Sequence, residues 1–217
     1  MIIMRNRFDE QLKTLNKKMI EMGAECESII ALSAKALLEG NVEAARTAKK
    51  QGRIIDEMER EIESICLKLL LQQQPVAKDL RVISAALKMI TDMERIGDQA
   101  EDISEIIAFL NGRTGEECHD IRSMAEATIK MVTDSIDAYV NQDLELARQV
   151  INYDDVIDSA FLRVKQTLVK MVTENTADGE YAVDLLMIAK YFERIGDHAV
   201  NIAEWVEFSV TGVHKGE

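Results

Sequence analysis

Glu94, Asp98, Asp102 and Glu105 follow one another at helical spacing. At 100° per residue their carboxyls fall within an arc of about 80°, each rising about 4.5–6 Å above the last. A second row, Glu193, Asp197, Asn201 and Glu204, repeats the pattern 99 residues later. Carboxylates one turn apart, with no cysteine and at most one histidine nearby, are hard oxygen donors. They suit Mg²⁺, Mn²⁺, Ca²⁺ or iron, which neighbouring carboxylates can share or bridge. Asp56 and Asp158 hold equivalent places in the two halves and are expected to complete each set from a facing helix. Asp154 and Asp155 are extra acids in the second half, where the first half has Gly52 and Arg53. The first site is thus expected to be richer in acid on its third helix, the second on its fifth.

The apolar stripe of the first row's helix is Met89, Met93, Ile96, Ala100, Ile103, Ile107 and Leu110. It lies close to 180° from the acids, which are therefore expected on the outer face or against a neighbouring helix. A row opposite a core stripe is ordinarily a solvated face. Here, between residues 91 and 109, six acids accompany one base, Arg95. Like charges at i,i+4 repel by some tenths of a kcal/mol per pair, so a plain solvated face normally mixes signs. Gly97 and Gly196 sit in mid-helix, each costing about 1 kcal/mol relative to alanine. Either a ligand or a packed helix explains their small size. His198, opposite Gln99 in the repeat, reads as a surface histidine.

Signatures of catalysis are scarce. GxxxxGK[ST], GxGxxG, GxSxG and HExxH do not occur. One ExxH, Glu116 to His119, has no partner, whereas di-iron bundles use two with two further glutamates. Three histidines leave little for acid–base work near neutral pH. The chain is read as not an enzyme.

Six helices are expected to hold these residues: roughly 5–38, 42–73, 76–110, 116–140, 143–174 and 178–210. Apolar residues recur at helical spacing along the first three, and Gly40-Asn41, Gln74-Pro75 and Asn111 to Gly115 interrupt the chain. Pro75 ends the second helix and suits the first turn of the third. One proline and ten glycines among 217 residues cannot supply the turns of an all-β protein. Long helices with short connections pack as antiparallel bundles. The segment ERIGDQAEDISE meets ERIGDHAVNIAE with eight of twelve positions identical, and Ala45-Arg46 before Asp56 matches Ala147-Arg148 before Asp158. A duplicated three-helix unit follows, divided as 1–112 and 113–217.

With 26 Lys+Arg against 39 Asp+Glu the formal net charge is −13. That field opposes nucleic acid and anionic membranes and favours cations or a basic protein face. No apolar run of membrane-spanning length occurs, so no direct membrane insertion is expected. The start, MIIMRNRFDE, lacks a signal-peptide pattern, and Met4 is a second plausible start. Cys26, Cys66 and Cys118 form no CxxC and read as reduced thiols of a cytoplasmic protein.

The duplicated unit, the paired Glu-Arg-Ile-Gly-Asp segments, the start RNRFDEQLKTL and the stretch QQPVAKDLRVISAALKMITDMERIGDQAEDI resemble the PhoU family. The resemblance spans essentially the whole chain. It implies an all-α fold of two tandem three-helix bundles and surface metal clusters of iron or zinc at E(D)xxxD(N) motifs. By position these fall on Glu94, Asp98 and Asp102, and on Glu193, Asp197 and Asn201; Mn or Mg also suit the donors. It also implies an adaptor between the ATPase subunit of the phosphate ABC transporter and a sensor histidine kinase. Such an adaptor damps uptake, represses phosphate-starvation genes and in some members forms a homodimer. Val200 in place of Glu101, and Asn201 in place of Asp102, weaken the second row. The rival readings are a metal-dependent hydrolase or oxidase on a helical scaffold, a metal-free scaffold protein, and a helical metal store.

Overall fold

The computed structural model describes residues 2–72, 76–110, 112–115, 118–174 and 178–213. Gln74, Pro75, Asn111 and Glu116, on which the sequence places breaks and an ExxH, lie outside the described residues. Six helices are formed: α1 (Ile2–Glu39), α2 (Val42–Gln72), α3 (Ala77–Phe109), α4 (His119–Asn141), α5 (Leu144–Thr173) and α6 (Gly179–Thr211). No strand occurs among the described residues.

Local chemistry sets the helix ends. Gly40 closes α1 with φ +65°, a conformation costly for residues bearing a Cβ. A Cβ there would also lie 2.9 Å from the Gly112 carbonyl oxygen, so the α1–α2 turn is packed on the segment joining the repeats. Gln142 takes the same left-handed conformation at the equivalent turn, φ 51°. Asp143 caps α5 by accepting from the Glu145 and Leu146 N–H groups, and Asp178 caps α6 by accepting from Tyr181 N–H. α4 runs from His119 with the buried Cys118 at its N-cap position; residues 116 and 117, from which the periodicity begins the helix, lie outside the described residues.

The expected stripes form the core. Met19, Met22, Cys26 and Ile29 of α1, Ile55, Ile62 and Leu69 of α2, and the whole α3 stripe are buried. Each fully buried aliphatic side chain of this kind contributes about 1.5–3 kcal/mol of transfer free energy. α1, α2 and α3 pack mutually, as do α4, α5 and α6. The bundles join through α3 on α6, the most extensive helix pair, and through α1 on α4. α2 and α5 therefore lie outside an inner layer of four helices.

α3 and α6 run antiparallel. Arg81 near the start of α3 packs over Gly212 at the end of α6, and the Tyr181 hydroxyl donates to the Thr114 carbonyl at the opposite end. The Cys26 thiol donates to the Met93 carbonyl (3.4 Å) and Thr128 donates to the Phe192 carbonyl (3.3 Å), equivalent bonds one residue before each acid motif. The cysteines are buried and in no disulfide, and burial pushes the Cys66 thiol up to about 12. Among the described residues no helix is long and apolar enough to cross a membrane.

Candidate metal centres

Gly97 and Gly196 locate the two centres. A Cβ on Gly97 would lie 3.1 Å from Ile55 of α2, and one on Gly196 would lie 3.5 Å from Ile157 of α5. The mid-helix glycines thus admit a neighbouring helix, not a ligand. They bring the outer helix of each bundle down onto the acid-bearing one.

In the first repeat this approach gathers Asp56, Glu94 and Asp98. One carboxylate oxygen of each lies within 4.8 Å of the others, and all three side chains are half-buried. Among the described residues this is the acidic group tight enough to hold an ion. Burial first, then the Asp98 charge, raises the Glu94 carboxyl above its ordinary value. The sequence reading missed Glu101, whose carboxyl is raised by burial and then by Asp56 and Asp98. Its carboxylate covers Gly52, where a Cβ would fall 1.7 Å from Oε1. Arg95 is the local counter-charge, 3.0 Å from Asp98 and 3.4 Å from Glu94.

The second repeat gathers Glu193, Asp197, Asp158 and Asp154 more loosely. Asp197 is raised by burial, then by Glu193 and Asp154, with Lys190 opposing and Asp158 adding. Lys190 bonds Glu193, which is 12% exposed. Thr91 stands where Lys190 would fall in the first repeat. The fourth carboxylate changes helix between repeats. Glu101 on α3 faces Gly52 on α2, whereas Val200 on α6 takes the place of Glu101 and Asp154 on α5 that of Gly52. Comparing these four positions is the signal that exposes Glu101.

The remaining row members go elsewhere. Glu105 pairs with Lys49 of α2. Glu204 is half-buried on α6 beyond Asn201. Asp102 and Asn201 lie at the α3–α6 seam: Asn201 donates to Asp92 (3.0 Å), and Asp102 accepts from the Tyr191 hydroxyl. The surface reading of His198 is corrected. Its ring is 22% exposed, and Nδ1 lies 2.9 Å from Asp92 Oδ1, because α6 is pressed onto α3 there. Of the two placements expected for the rows, both occur: Glu94, Asp98, Asp102, Glu193 and Glu204 are half-buried against neighbouring helices, whereas Glu105, Asp197 and Asn201 are exposed.

The PhoU domain family model matches residues 19–107 and again 121–206. A protein of Clostridium acetobutylicum described as "Phosphate-specific transport system accessory protein PhoU homolog" is 36% identical over 213 residues, covering 96% of each chain. Its namesake in a Synechocystis species is 35% identical over 96% of this chain and 93% of its own. The crystal structure of PhoU from Pseudomonas aeruginosa superposes with a TM-score of 0.90 at 30% identity, covering 95% of this chain and all (100%) of that one. A regulatory PhoU of Streptococcus pneumoniae, at 22% identity, shares the fold with a TM-score of 0.86 over 95% of this chain and 98% of that one.

Proposed function

The chain belongs to the PhoU family, and on that premise we propose that it regulates phosphate uptake by physical contact. In this reading it links the ATPase subunit of a phosphate ABC transporter to a sensor histidine kinase in the cytoplasm, damping uptake when phosphate is plentiful. It is an adaptor and not an enzyme. The observation that supports the reading is the same approach of the outer helix to the acid-bearing helix at Gly97 and Gly196, which in the first repeat gathers Asp56, Glu94 and Asp98.

The centres are proposed to bind divalent cations, with Asp56, Glu94, Asp98 and Glu101 as donors in the first, and Asp158, Asp154, Glu193 and Asp197 in the second. An all-carboxylate set suits iron, manganese or magnesium better than zinc, which favours nitrogen and sulfur. A bound cation offsets the burial and the like-charge repulsion that together raise Glu94 and Glu101, and holds α2 against α3.

The test is elemental analysis of protein purified without chelator, together with capture of the transporter's ATPase subunit. The control is a variant with Glu94, Asp98, Glu193 and Asp197 all changed to alanine. Metal and capture by the wild type, both lost in the variant, support the reading. Capture without metal leaves a docking scaffold, and turnover of phosphoesters with Mn²⁺ that disappears in Asp98→Ala favours the hydrolase.

A further inference from the structure

Beyond the first carboxylate centre, towards the α1–α2 turn, lies a cleft of about 460 Å³ between α2 and α3. Ala45, Arg46 and Lys49 line one wall, and Glu105, Ala108 and Phe109 the other. That volume is within the range of small-molecule sites. The second repeat provides an internal reference for what this cleft lacks. α5 corresponds to α2 at an offset of 102 and α6 to α3 at an offset of 99, as the Ala-Arg pairs and the ERIGD segments set them.

In the second repeat Arg148, the counterpart of Arg46, donates from Nε (3.0 Å) and Nη2 (2.9 Å) to Glu207. Phe208, the counterpart of Phe109, meets Trp205 edge to face, with ring centroids 5.7 Å apart. The arginine and the phenylalanine thus each have a partner on α6, one a carboxylate and the other an aromatic ring. In the first repeat both partners are gone. Ala108 stands where Glu207 would fall, and Ile106 where Trp205 would. Phe109 is 70% exposed. Arg46 turns to Glu43 on its own helix, an exposed pair of the kind that contributes little and exchanges readily. Lys49, for which the second repeat has Ile151, bonds Glu105 across the cleft. The side chains lining the cleft sum to +1, against −1 at their counterparts.

We propose that this cleft binds a nucleoside monophosphate. The nucleotide brings together what the first repeat has lost. Its phosphate takes the place of the Glu207 carboxylate on the arginine, and its base takes the place of Trp205 on the phenylalanine. A guanidinium fork matches phosphate oxygens as it matches a carboxylate. An exposed aromatic ring is a stacking surface open to any base. A phosphate monoester carries about −1.5 to −2 at pH 7, close to the difference between the two linings. Lys49, one turn along α2 from Arg46, is the second cation for the phosphate. The cleft is a locally positive place on a chain of net charge −13, so close contacts and not the long-range field hold the ligand.

The experiment is calorimetric titration of the full chain with AMP, GMP, CMP and UMP, then with inorganic phosphate and with the parent nucleoside of the tightest nucleotide. EDTA is present, so that no cation at the carboxylate centres carries the phosphate. The expected result is one nucleotide per chain, with phosphate and the nucleoside each weaker by about 10-fold or more. Arg46→Gln and Phe109→Ala each weaken nucleotide binding by about 10-fold or more. Ala108→Glu, which gives the first repeat the second repeat's own carboxylate, abolishes it, and Arg148→Gln leaves it unchanged. Arg46, Ala108 and Phe109 are exposed, and a melting curve checks each variant. No heat with any of the four nucleotides at about 1 mM overturns the proposal. Binding that survives both Arg46→Gln and Ala108→Glu places the nucleotide elsewhere and also overturns it. Inorganic phosphate bound as tightly as the best nucleotide, and indifferent to Phe109→Ala, makes the cleft a bare anion site and overturns the nucleotide assignment. Because the titration uses the isolated chain, every one of these results leaves the adaptor reading standing.

Discussion

Asp92 and Tyr191 occupy equivalent positions on α3 and α6, 99 residues apart, and each reaches across the seam to the opposite bundle. Asp92 accepts from His198 and Asn201, while Tyr191 donates to Asp102. The partners correspond too, since Asn201 is the counterpart of Asp102. A pseudo-twofold contact has thus been kept in place while its chemistry changed from carboxylate with imidazole to phenol with carboxylate.

Asp92→Ala removes the acceptor of a half-buried imidazole and of the Asn201 amide. A hydrogen bond to a charged group is worth about 1.5–3 kcal/mol, and partial exposure of these groups puts the expected loss near the lower end. Urea denaturation measures it. A midpoint equal to that of the wild type would show that apolar packing alone holds the seam.

Glu94 and Glu101 have carboxyls raised by burial and by acidic neighbours. A folded-state pKa above the unfolded one contributes stability that is present below the unfolded value and lost as pH rises through the folded value. The double variant Glu94→Gln with Glu101→Gln is therefore expected to melt above the wild type at pH 7.5 in EDTA. The gap should shrink as pH falls towards 4.5. A gap that widens on acidification contradicts this account.

Lys190 neutralises Glu193 in the second centre; the first has Thr91 at that place, keeps Arg95 against Glu94 and Asp98, and is the one whose carboxylates converge within 4.8 Å. Calorimetric titration with Mn²⁺ is expected to resolve a tighter first centre and a weaker second. Lys190→Thr should strengthen the weaker event severalfold, and Thr91→Lys should weaken the tighter one. Equal affinities that neither change shifts would show that the lysine does not compete with the cation.

Gly196→Ala places a Cβ at ordinary contact distance from Ile157, so the helix propensity gain dominates and stability rises by up to about 1 kcal/mol. Gly97→Ala meets Ile55 at 3.1 Å and is expected to gain less or to lose stability, as Ile55 must give way. Thermal melting of the two variants side by side checks the order, and a larger gain at Gly97 would contradict the packing described.

The helices and their duplication were legible because the apolar stripes and the ERIGD segments are properties of single helices, readable at fixed spacing. The same holds for Glu94, Asp98 and Asp56, whose convergence needed only the expectation that α2 faces α3. His198 was misread because its partner, Asp92, comes from the other repeat, 106 residues away. No periodicity within α6 carries that contact. Asp102 and Asn201 share the arc of their rows, yet the seam passes close enough to draw them to the opposite bundle. Glu101 was hidden for a different reason. Its role depends on the missing side chain at Gly52, and an absence is informative only when set beside Asp154 and Val200.

The seam has a further consequence for how such a chain is assembled. Because α3 meets α6 and α1 meets α4, the surface that each repeat buries in the other is its own counterpart, as in an isologous dimer. The covalent chain is equivalent to two like subunits whose association has been made intramolecular. The segment between α3 and α4 then acts by fixing the effective concentration of one repeat for the other. A single repeat expressed alone leaves a self-complementary face open and should pair with itself. In the joined chain the two faces are free to differ, and Asp92 and Tyr191 are two such solutions held side by side in one molecule.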